Sequence, residues 1–449
     1  MLREIKILSP TGHLGFTPLE KDSFLTGVSK KPDYIVADSG SADIGPYYLG
    51  ADMPCSPEMW QRHDLELILK ASRDLDVPMI IGSASDTGTN KGVDQFVRII
   101  KEIARENDLH FNLAYIYSQQ DKNRIRRILN EVRVEGLDGF EDLNSQILDR
   151  TDNIVAVMGP EPIIHALDNG ADVIIAGRSS DSSIFAAPLI REGISKATAF
   201  YAGKVLECAS FCAEPFMGKE SVMGYVKEGE VIVEPMHPKQ RCTVASVASH
   251  SMYERVDPYY ERVPGGVLDM SECVYEQIDH RRTRVTGFKF IESELKIKLE
   301  GAGKVGERCI CIVGFRDPYL IKHIDKVIEW SKKKVEERYS DRTYQLYYHL
   351  YGINGVMKDL EPVRNPSSHE ICLIVECVAE TAEDAKEIAT LAARNTFYAR
   401  LPEVKGTAGT AAMMSDEAIL TKPAYEWTVN HLIPVSDPLE LFDVHFEDV

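Results

Sequence analysis

Short apolar runs alternate with longer amphipathic stretches through the first two hundred residues. The apolar runs are typical of buried strands, and the stretches between them carry apolar residues at helical spacing. Strands are predicted to begin near Ile5, Tyr34, Val77, Phe111, Asn153 and Ala171, and helices to lie at 20–30, 56–76, 92–107, 122–132 and 161–169. Alternating strands and helices form βαβ units. The pattern therefore predicts an α/β fold with a mostly parallel sheet flanked by helices, in a Rossmann-like arrangement.

The pattern changes after residue 214. Residues 218–300 contain short alternating strands with Gly and Pro turns and fewer helical stretches. Beyond them, apolar strands run into long helices at 308–339 and 370–401, with a further strand between. Two such units with additional strands indicate an α+β arrangement. We therefore predict two domains: a parallel α/β domain at 1–214 that carries the site, and a smaller α+β domain at 215–449.

Small and polar residues follow most of the predicted parallel strands at the point where each strand ends. These segments are 9–15, 38–43, 82–88, 117–118 and 178–181. A single loop of this kind is explained by turns and helix caps. Because the carboxyl ends of parallel strands lie at one edge of a sheet, however, we expect these segments to converge on a ligand site.

The residue types in these segments indicate binding of a small carboxylate. The planar guanidinium of Arg178 suits bidentate binding of a carboxylate, and backbone N–H groups at 12–15 and 82–85 are predicted to stabilise an oxyanion. The predicted ligand-binding residues are Gly12, Gly15, Asp38, Ser83, Ser85, Arg178, Ser179 and Asp181. The candidate acids and bases are His13, Asp86 and Glu207.

Several assignments stay open at this point. Asp38, Asp43 and Asp86 are an alternative set of hard oxygen ligands for Mg²⁺. Glu207 lies in an apolar segment, so it is either buried with a partner or an acid with a raised pKa. The adjacent Cys208 is interpreted as a core residue. No P-loop or G-x-G-x-x-G motif is present, so no nucleotide cofactor is expected. The loop at 401–414 is interpreted as an ordinary loop.

Composition restricts the partners and the compartment. The formal net charge of −19 argues against nucleic acid and anionic membrane surfaces as partners. No apolar stretch is long enough to span a membrane, and the N-terminal residues lack the features of a secretory signal. The nine cysteines are odd in number and widely spread. We therefore expect a cytoplasmic protein without structural disulfides.

Four segments resemble the acyclic terpene utilisation (AtuA-like) family and occur in the same order. They are "NGADVIIAGRSSDSSIFAAPLIREG" (169–193), "GKVLECASF" (203–211), "VASHSMYERVDPYYERVPGGVLDM" (247–270) and "GFRDPYLIKHIDKVIEW" (314–330). The chain departs from the family pattern at "GSASDTG" (82–88), Ala209 and Met252. The resemblance implies catabolism of branched or unsaturated carboxylic acids, in some members beside a small second subunit. The first departure implies a substrate different from that of the terpene-pathway members.

These observations favour a hydratase-type lyase that adds or removes water next to a carboxylate or thioester. One alternative is a non-catalytic acyl-binding or scaffold subunit that is active only with a partner. Another is an amide or ester hydrolase that uses Ser83 or Ser85, which requires a histidine within hydrogen-bond reach. We also expect a homo-oligomer.

Overall fold

The computed structural model describes residues 3–364, 368–404, 411–413 and 417–449. The chain divides into two compact units. The first consists of Met1–Gly303 and Trp427–Val449, and the second of Lys304–Glu426. Residue 214 lies inside the first unit. The change of sequence pattern there marks the point after which antiparallel strands join the main sheet.

The strands and helices of the first half follow the predicted alternation. The strands are β1 (Ile5–Ser9), β2 (Tyr34–Gly40), β3 (Met79–Asp86), β4 (Asn112–Tyr117), β5 (Glu135–Gly136), β6 (Asn153–Val157) and β7 (Val173–Ala176). The helices are α1 (Lys21–Ser29), α2 (Pro46–Ala51), α3 (Glu58–Leu75), α4 (Asn90–Asn107), α5 (Lys122–Leu129), α6 (Ser145–Asp149), α7 (Glu161–Asp168), α8 (Asp181–Arg191) and α9 (Lys196–Leu206).

A parallel sheet forms the centre of the first unit. Its order is β1-β2-β3-β7-β4, and every neighbouring pair is parallel. Alternate side chains point to opposite faces, so Leu8 and Ile81 pack with α1, α3 and α4, whereas Ile7 and Ile80 pack with α7, α8 and α9. The α/β class is confirmed, but the prediction of a mostly parallel sheet holds only in part, because antiparallel strands extend these five strands into a ten-stranded sheet that is only partly parallel. This strand order does not confirm a Rossmann-like arrangement, in which the order reverses in the middle of the sheet.

Antiparallel strands continue the first unit. The elements are β8 (Val222–Lys227), β9 (Glu230–Pro235), α10 (Val244–Met252), β10 (Tyr260–Val263), β11 (Gly266–Asp269), β12 (Val274–Gln277), β13 (Thr283–Thr286), β14 (Lys289–Glu292) and β15 (Lys296–Phe315). β8 pairs antiparallel with β1, and β9, β13 and β12 follow it outward. β10, β11 and β14 form a separate three-stranded sheet.

β6 is a strand as predicted, but it does not lie in the parallel sheet. It pairs antiparallel with the start of β15, where Glu300 lies opposite Val155. The main sheet offers no place for it beside β7, because β7 is already hydrogen-bonded to β3 on one side and to β4 on the other.

The second unit is the α+β structure that the pattern beyond residue 305 indicates. Its elements after β15 are α11 (Pro318–Lys322), α12 (Ile324–Arg338), β16 (Tyr344–Tyr351), β17 (Ile371–Ala379), α13 (Ala382–Phe397), β18 (Ala411–Met413) and β19 (Ile419–Leu420). β17 pairs antiparallel with both β15 and β16. Leu373 and Val375 of β17 form a core with Val327 of α12 and Ile388 of α13. Residues 405–410 and 414 of the loop at 401–414 lie outside the described residues.

The last two strands are β20 (Ala424–Pro434) and β21 (Asp443–Asp448). β21 pairs antiparallel with β4 and forms the other edge of the main sheet. None of the described helices has the length and apolar character needed to cross a bilayer. All nine cysteines are free thiols.

Candidate functional site

Polar groups from the ends of three strands meet at Arg178, directly after β7. Its Nη1 donates to Ser83 Oγ at 3.1 Å, to the Ser179 carbonyl at 2.9 Å and to Asp181 Oδ1 at 3.2 Å. Its backbone N–H donates to Ser118 Oγ at 2.7 Å, at the end of β4. The structure therefore brings Ser83, Arg178, Ser179 and Asp181 together at the carboxyl edge of the sheet.

The other side of Arg178 faces a carboxylate from β15. Arg178 Nε donates to Glu300 Oε2 at 2.9 Å, and Lys298 Nζ donates to Glu300 Oε1 at 2.8 Å. Burial works against a charged Glu300, but the positive charges of Arg178 and Lys298 lower its pKa to about 2. Burial likewise opposes the charge of Arg178, and Glu300 and Asp181 raise the pKa of the guanidinium above its usual value. Both groups of this buried pair are therefore charged.

One nitrogen of Arg178 is left for a ligand. The side-chain hydrogen bonds of Arg178 use Nε and Nη1, and Nη2 has no hydrogen-bond partner among the residues that the structure describes. The sequence predicted that two guanidinium nitrogens of Arg178 bind a carboxylate in a bidentate manner. This geometry does not allow that, because only one nitrogen is left. The two hydrogens of Nη2 remain to bind an anion.

Arg178 and Glu300 form part of the wall of a cavity with about 240 Å³ of empty space, partly open to solvent. The other walls come from the segment 41–49 after β2, from Asp86 and Thr87, and from Trp427.

Asp38 carries an unsatisfied carboxyl oxygen beside this group. It is buried in β2, and its Oδ1 accepts from the N–H groups of Ser39 at 2.8 Å and Gly40 at 3.3 Å. Its Oδ2 is buried without a hydrogen-bond partner in the described part of the chain. Burial and then the negative charge of Asp181 raise the pKa of Asp38 well above its usual range. Asp38 is thus a carboxyl group that retains its proton far more readily than an exposed aspartate.

The end of β3 has an unusual backbone. Ser83, Ser85 and Asp86 have φ values of 48°, 54° and 72°, in the left-handed region that L-residues seldom adopt. The register between β2 and β3 shifts at the same place, between Asp38 and Gly40. Strain of this kind is held by surrounding structure and concentrates at functional sites.

His13 and Asp86 form a second predicted group that the structure joins. His13 Nε2 lies 3.0 Å from Asp86 Oδ1, which also accepts from Ser56 Oγ at 2.5 Å. Asp86 Oδ2 accepts from the N–H groups of Cys55 and Ser56 at 2.9 Å and from Gln61 Nε2 at 3.1 Å. Although burial opposes it, the bonds to His13 and Ser56 lower the pKa of Asp86. Asp86 therefore orients His13 and is poorly suited to the role of proton acceptor.

Glu207 is buried with a partner and also has a raised pKa, so both interpretations of it apply. Its Oε1 accepts from Lys204 Nζ at 2.6 Å, and both residues are buried. Burial, opposed by Lys204 and assisted by Glu261 and Asp181, raises the pKa of Glu207 to about 8. The next residue, Cys208, lies 3.2 Å from Tyr253 Oη through its Sγ, and burial raises the pKa of this thiol to about 12.

The loop after β1 packs against this turn. A Cβ on Gly12 would lie 2.8 Å from the Cα of Cys208, so only glycine allows the two backbones to approach so closely. Two of the N–H groups predicted to stabilise an oxyanion donate hydrogen bonds within the protein. Gly15 donates to Asp64 Oδ2 at 2.9 Å, and the N–H of Ser83 donates to the Gly177 carbonyl at 3.0 Å.

The geometry bears on two alternatives from the sequence. Within the described residues, neither Ser83 Oγ nor Ser85 Oγ hydrogen-bonds to a histidine; Ser85 Oγ accepts from Gln61 Nε2 at 3.3 Å. The hydrolase hypothesis therefore lacks its base. The described residues also contain no group of three or more His, Cys, Asp or Glu side chains placed to hold a metal ion, so the Mg²⁺ set of Asp38, Asp43 and Asp86 finds no support.

Sequence reasoning missed several residues of the site. Glu300, Lys298 and Trp427 are far from Arg178 in sequence, and no local pattern marks them. Lys219 was also missed: its Nζ donates to the His13 carbonyl at 2.6 Å, and burial lowers its pKa to about 8. Lys204 did carry a signal, because its spacing of three residues before Glu207 puts both on one face of a helix.

A family model described as "Acyclic terpene utilisation family protein AtuA" matches residues 5–429. Neither the curated proteins nor the solved structures gave a significant match. Because the family match spans nearly the whole chain, including the strands and loops that form the site, the chain belongs to the acyclic terpene utilisation (AtuA) family.

Proposed function

We propose that the protein is a cytoplasmic catabolic enzyme that adds or removes water next to the carboxylate, or thioester, of a small branched or unsaturated acid. The family is named for the utilisation of acyclic terpenes, which is consistent with a catabolic role. The observation that carries the proposal is the buried Arg178. It lines a small cavity, and its Nη2 has no hydrogen-bond partner among the described residues.

Arg178 is proposed to hold the substrate carboxylate. It is 8% exposed, so an ion pair formed there is screened by little water. Glu300 and Ser83 hold the guanidinium through Nε and Nη1. The side chain is thereby fixed before the ligand arrives, which lowers the entropy lost on binding.

Asp38 and Asp181 are proposed to transfer the protons. Burial and the negative charge of Asp181 raise the pKa of Asp38, so Asp38 is assigned as the acid and Asp181 as the base. In dehydration, Asp181 accepts the proton from the carbon next to the carboxylate, and that electron pair forms the double bond. The carbon–oxygen bond breaks, and the hydroxyl leaves as water with the proton of Asp38. Hydration reverses these steps.

The test is proton exchange and water addition in D₂O, followed by NMR with unsaturated acids and their thioesters. We expect Asp38→Asn to lower kcat by about 10²–10⁴-fold with little change in KM, the usual effect of removing a general acid. Arg178→Gln is expected mainly to raise KM. Arg191→Gln, which removes an arginine whose Nε lies 2.8 Å from Asp168 near the surface, is the matched control. Absence of exchange and turnover with every acid would refute the proposal.

A partner-dependent subunit is the second candidate. Phe211 and Phe216 are 46% and 68% exposed, and their rings contact each other at 5.0 Å in the segment after Cys208. Exposed aromatic side chains in contact are more typical of an interface than of a monomer surface. If the isolated chain binds an acid but shows no turnover, this candidate, including the small second subunit, becomes the preferred one. The homo-oligomer expected from the sequence stays a prediction, which light scattering tests.

A further inference from the structure

A second group of buried and half-buried polar residues lies near the site but has no role in the proposed function. It consists of Lys204, Glu207, His250, Tyr253, Arg255 and Glu261, and we refer to it as the Lys204 cluster. These residues come from α9 and the turn that follows it, from α10 and the segment after it, and from β10. No local sequence pattern places them together; the packing of these elements does.

Direct contacts join the members of the Lys204 cluster. Lys204 Nζ lies 2.6 Å from Glu207 Oε1 and 4.6 Å from the centre of the Tyr253 ring. The Tyr253 ring stacks on His250 with 5.0 Å between ring centres. Arg255 Nη2 lies 3.2 Å from Glu261 Oε2 and donates to the Ser251 carbonyl.

Three atoms of the Lys204 cluster are buried without hydrogen-bond partners among the described residues: two nitrogens and the acceptor Glu261 Oε2. His250 is 6% exposed, and its Nε2 has no hydrogen-bond partner among the described residues. Arg255 Nη1 is also buried and unpartnered within that part of the chain. An arginine nitrogen can only donate a hydrogen bond, and neutral imidazole donates through Nε2 in one tautomer. Because a buried donor without an acceptor is unfavourable, the geometry indicates an oxygen acceptor that binds here.

The charges of the cluster favour an anion as that acceptor. Burial raises the pKa of Glu207 to about 8 and also raises the pKa of Glu261, so burial disfavours the negative charge of both carboxyl groups. Burial opposes the charge of Lys204, but Glu207 and Glu261 raise its pKa, so the amine stays protonated. The cluster therefore holds two cationic groups, Lys204 and Arg255, beside carboxyl groups whose negative charge is disfavoured by burial.

We infer that the Lys204 cluster binds a second carboxylate of the substrate, which makes the substrate a dicarboxylic acid. This inference rests on the proposed function, in which Arg178 holds the first carboxylate. Asp181 connects the two places: it accepts a hydrogen bond from Arg178, and its charge acts on both Glu207 and Glu261. The donors that receive the second carboxylate are Arg255 Nη1 and His250 Nε2.

The test compares two acids that differ only at the far end. Methylfumarate carries a carboxylate where tiglate carries a methyl group. Titration calorimetry of the full chain is expected to show methylfumarate binding at least about tenfold more tightly than tiglate, as one charge-assisted hydrogen bond predicts. In Arg255→Gln this preference should disappear while tiglate affinity stays the same.

The control is Arg241→Gln, which removes an exposed arginine that pairs with Glu214, and it should leave both affinities unchanged. Circular dichroism checks that each variant is folded. If Arg255→Gln is unstable, His250→Asn, which shortens the other donor, replaces it in the titrations. Equal affinities in the natural protein, absence of methylfumarate binding, or a preference that survives both substitutions would overturn the inference.

The same titrations separate this inference from the proposed function. One outcome is that tiglate binds, Arg178→Gln weakens tiglate binding, and methylfumarate binds no more tightly than tiglate. In that case the first carboxylate site is supported and the second is not. If methylfumarate binding depends on Arg255 but not on Arg178, the Lys204 cluster stands and the proposed role of Arg178 fails.

Discussion

Glu300 and Glu207 are both buried carboxyl groups, and their neighbours shift their pKa values in opposite directions. Glu300 has two cationic partners, Arg178 and Lys298, which overcome the effect of burial. Glu207 has one cationic partner, Lys204, and the negative charges of Glu261 and Asp181 raise its pKa further. The number and sign of the contacts therefore decide the ionisation state more than burial itself.

We expect Glu300→Gln to destabilise the protein by about 3 kcal/mol at neutral pH, since the pKa of Glu300 falls from 4.5 to about 2 on folding. A carboxylate with a lowered pKa stabilises the fold above its unfolded value. That stabilisation is lost as the pH falls from about 4.5 towards 2. Urea unfolding at several pH values measures it: the gap between natural protein and variant should narrow in acid. Glu337→Gln, at an exposed pair with Lys334, is the control and should change little.

The opposite slope is expected from Glu207. Its pKa is higher in the folded state, so the folded protein holds a proton that the unfolded chain releases between about pH 4.5 and 8. Stability should therefore fall as the pH rises through this range, and Glu207→Gln should remove that part of the slope. Urea midpoints of the natural protein and the variant between about pH 5 and 8 provide the measurement. A variant with an unchanged slope would show that Glu207 is ionised in the fold.

At the scale of elements, the turn between β3 and α4 positions Arg178. The Gly88 carbonyl accepts from the backbone N–H of Arg178 at 3.1 Å and from Ser118 Oγ at 3.0 Å. Gly88 has a φ of 66°, and a Cβ there would lie 2.1 Å from the Arg178 nitrogen. The turn thus fits the strand end only because this residue has no side chain.

Gly88→Ala tests this packing against a matched position. Gly139 has a φ of 88° but nothing within 4 Å of an added Cβ, so Gly139→Ala measures backbone strain alone, about 1–2 kcal/mol. We expect Gly88→Ala to lower the free energy of unfolding, measured by chemical denaturation, by more than Gly139→Ala does. It should also weaken acid binding in titrations, because Arg178 must move. Equal losses in the two variants would mean that the turn yields without displacing Arg178.

At the scale of the whole molecule, two compact units have separate hydrophobic cores. Leu373 lies in the core of the second unit, whereas Arg178, Asp38 and the Lys204 cluster lie in the first. We expect Leu373→Ala to remove about 2–5 kcal/mol from the second unit, as large-to-small core substitutions do. Calorimetry should show a lowered transition for that unit, while acid binding measured by titration is retained. Loss of acid binding in this variant would mean that the site depends on the second unit.

Local sequence pattern was enough to predict the alternation of strands and helices, the parallel strands at the centre of the main sheet and the polar groups at their carboxyl ends. These features follow from local periodicity and from the geometry of parallel strands, which a single stretch of chain already expresses. Arg178, Ser83, Ser179 and Asp181 could be identified for this reason, because each directly follows or ends a recognisable strand.

Which groups face one another depends on the tertiary structure. Glu300 reaches Arg178 because β15 pairs with β6, and the two residues are far apart in sequence. The packing of α9, α10 and β10 likewise assembles the Lys204 cluster. In the folded chain both carboxyl oxygens of Asp86 accept hydrogen bonds, whereas Oδ2 of Asp38 accepts none from the described residues. Charge, burial and hydrogen-bond satisfaction depend on neighbours in space, so the chemistry of each carboxyl group was set by long-range packing and not by local pattern.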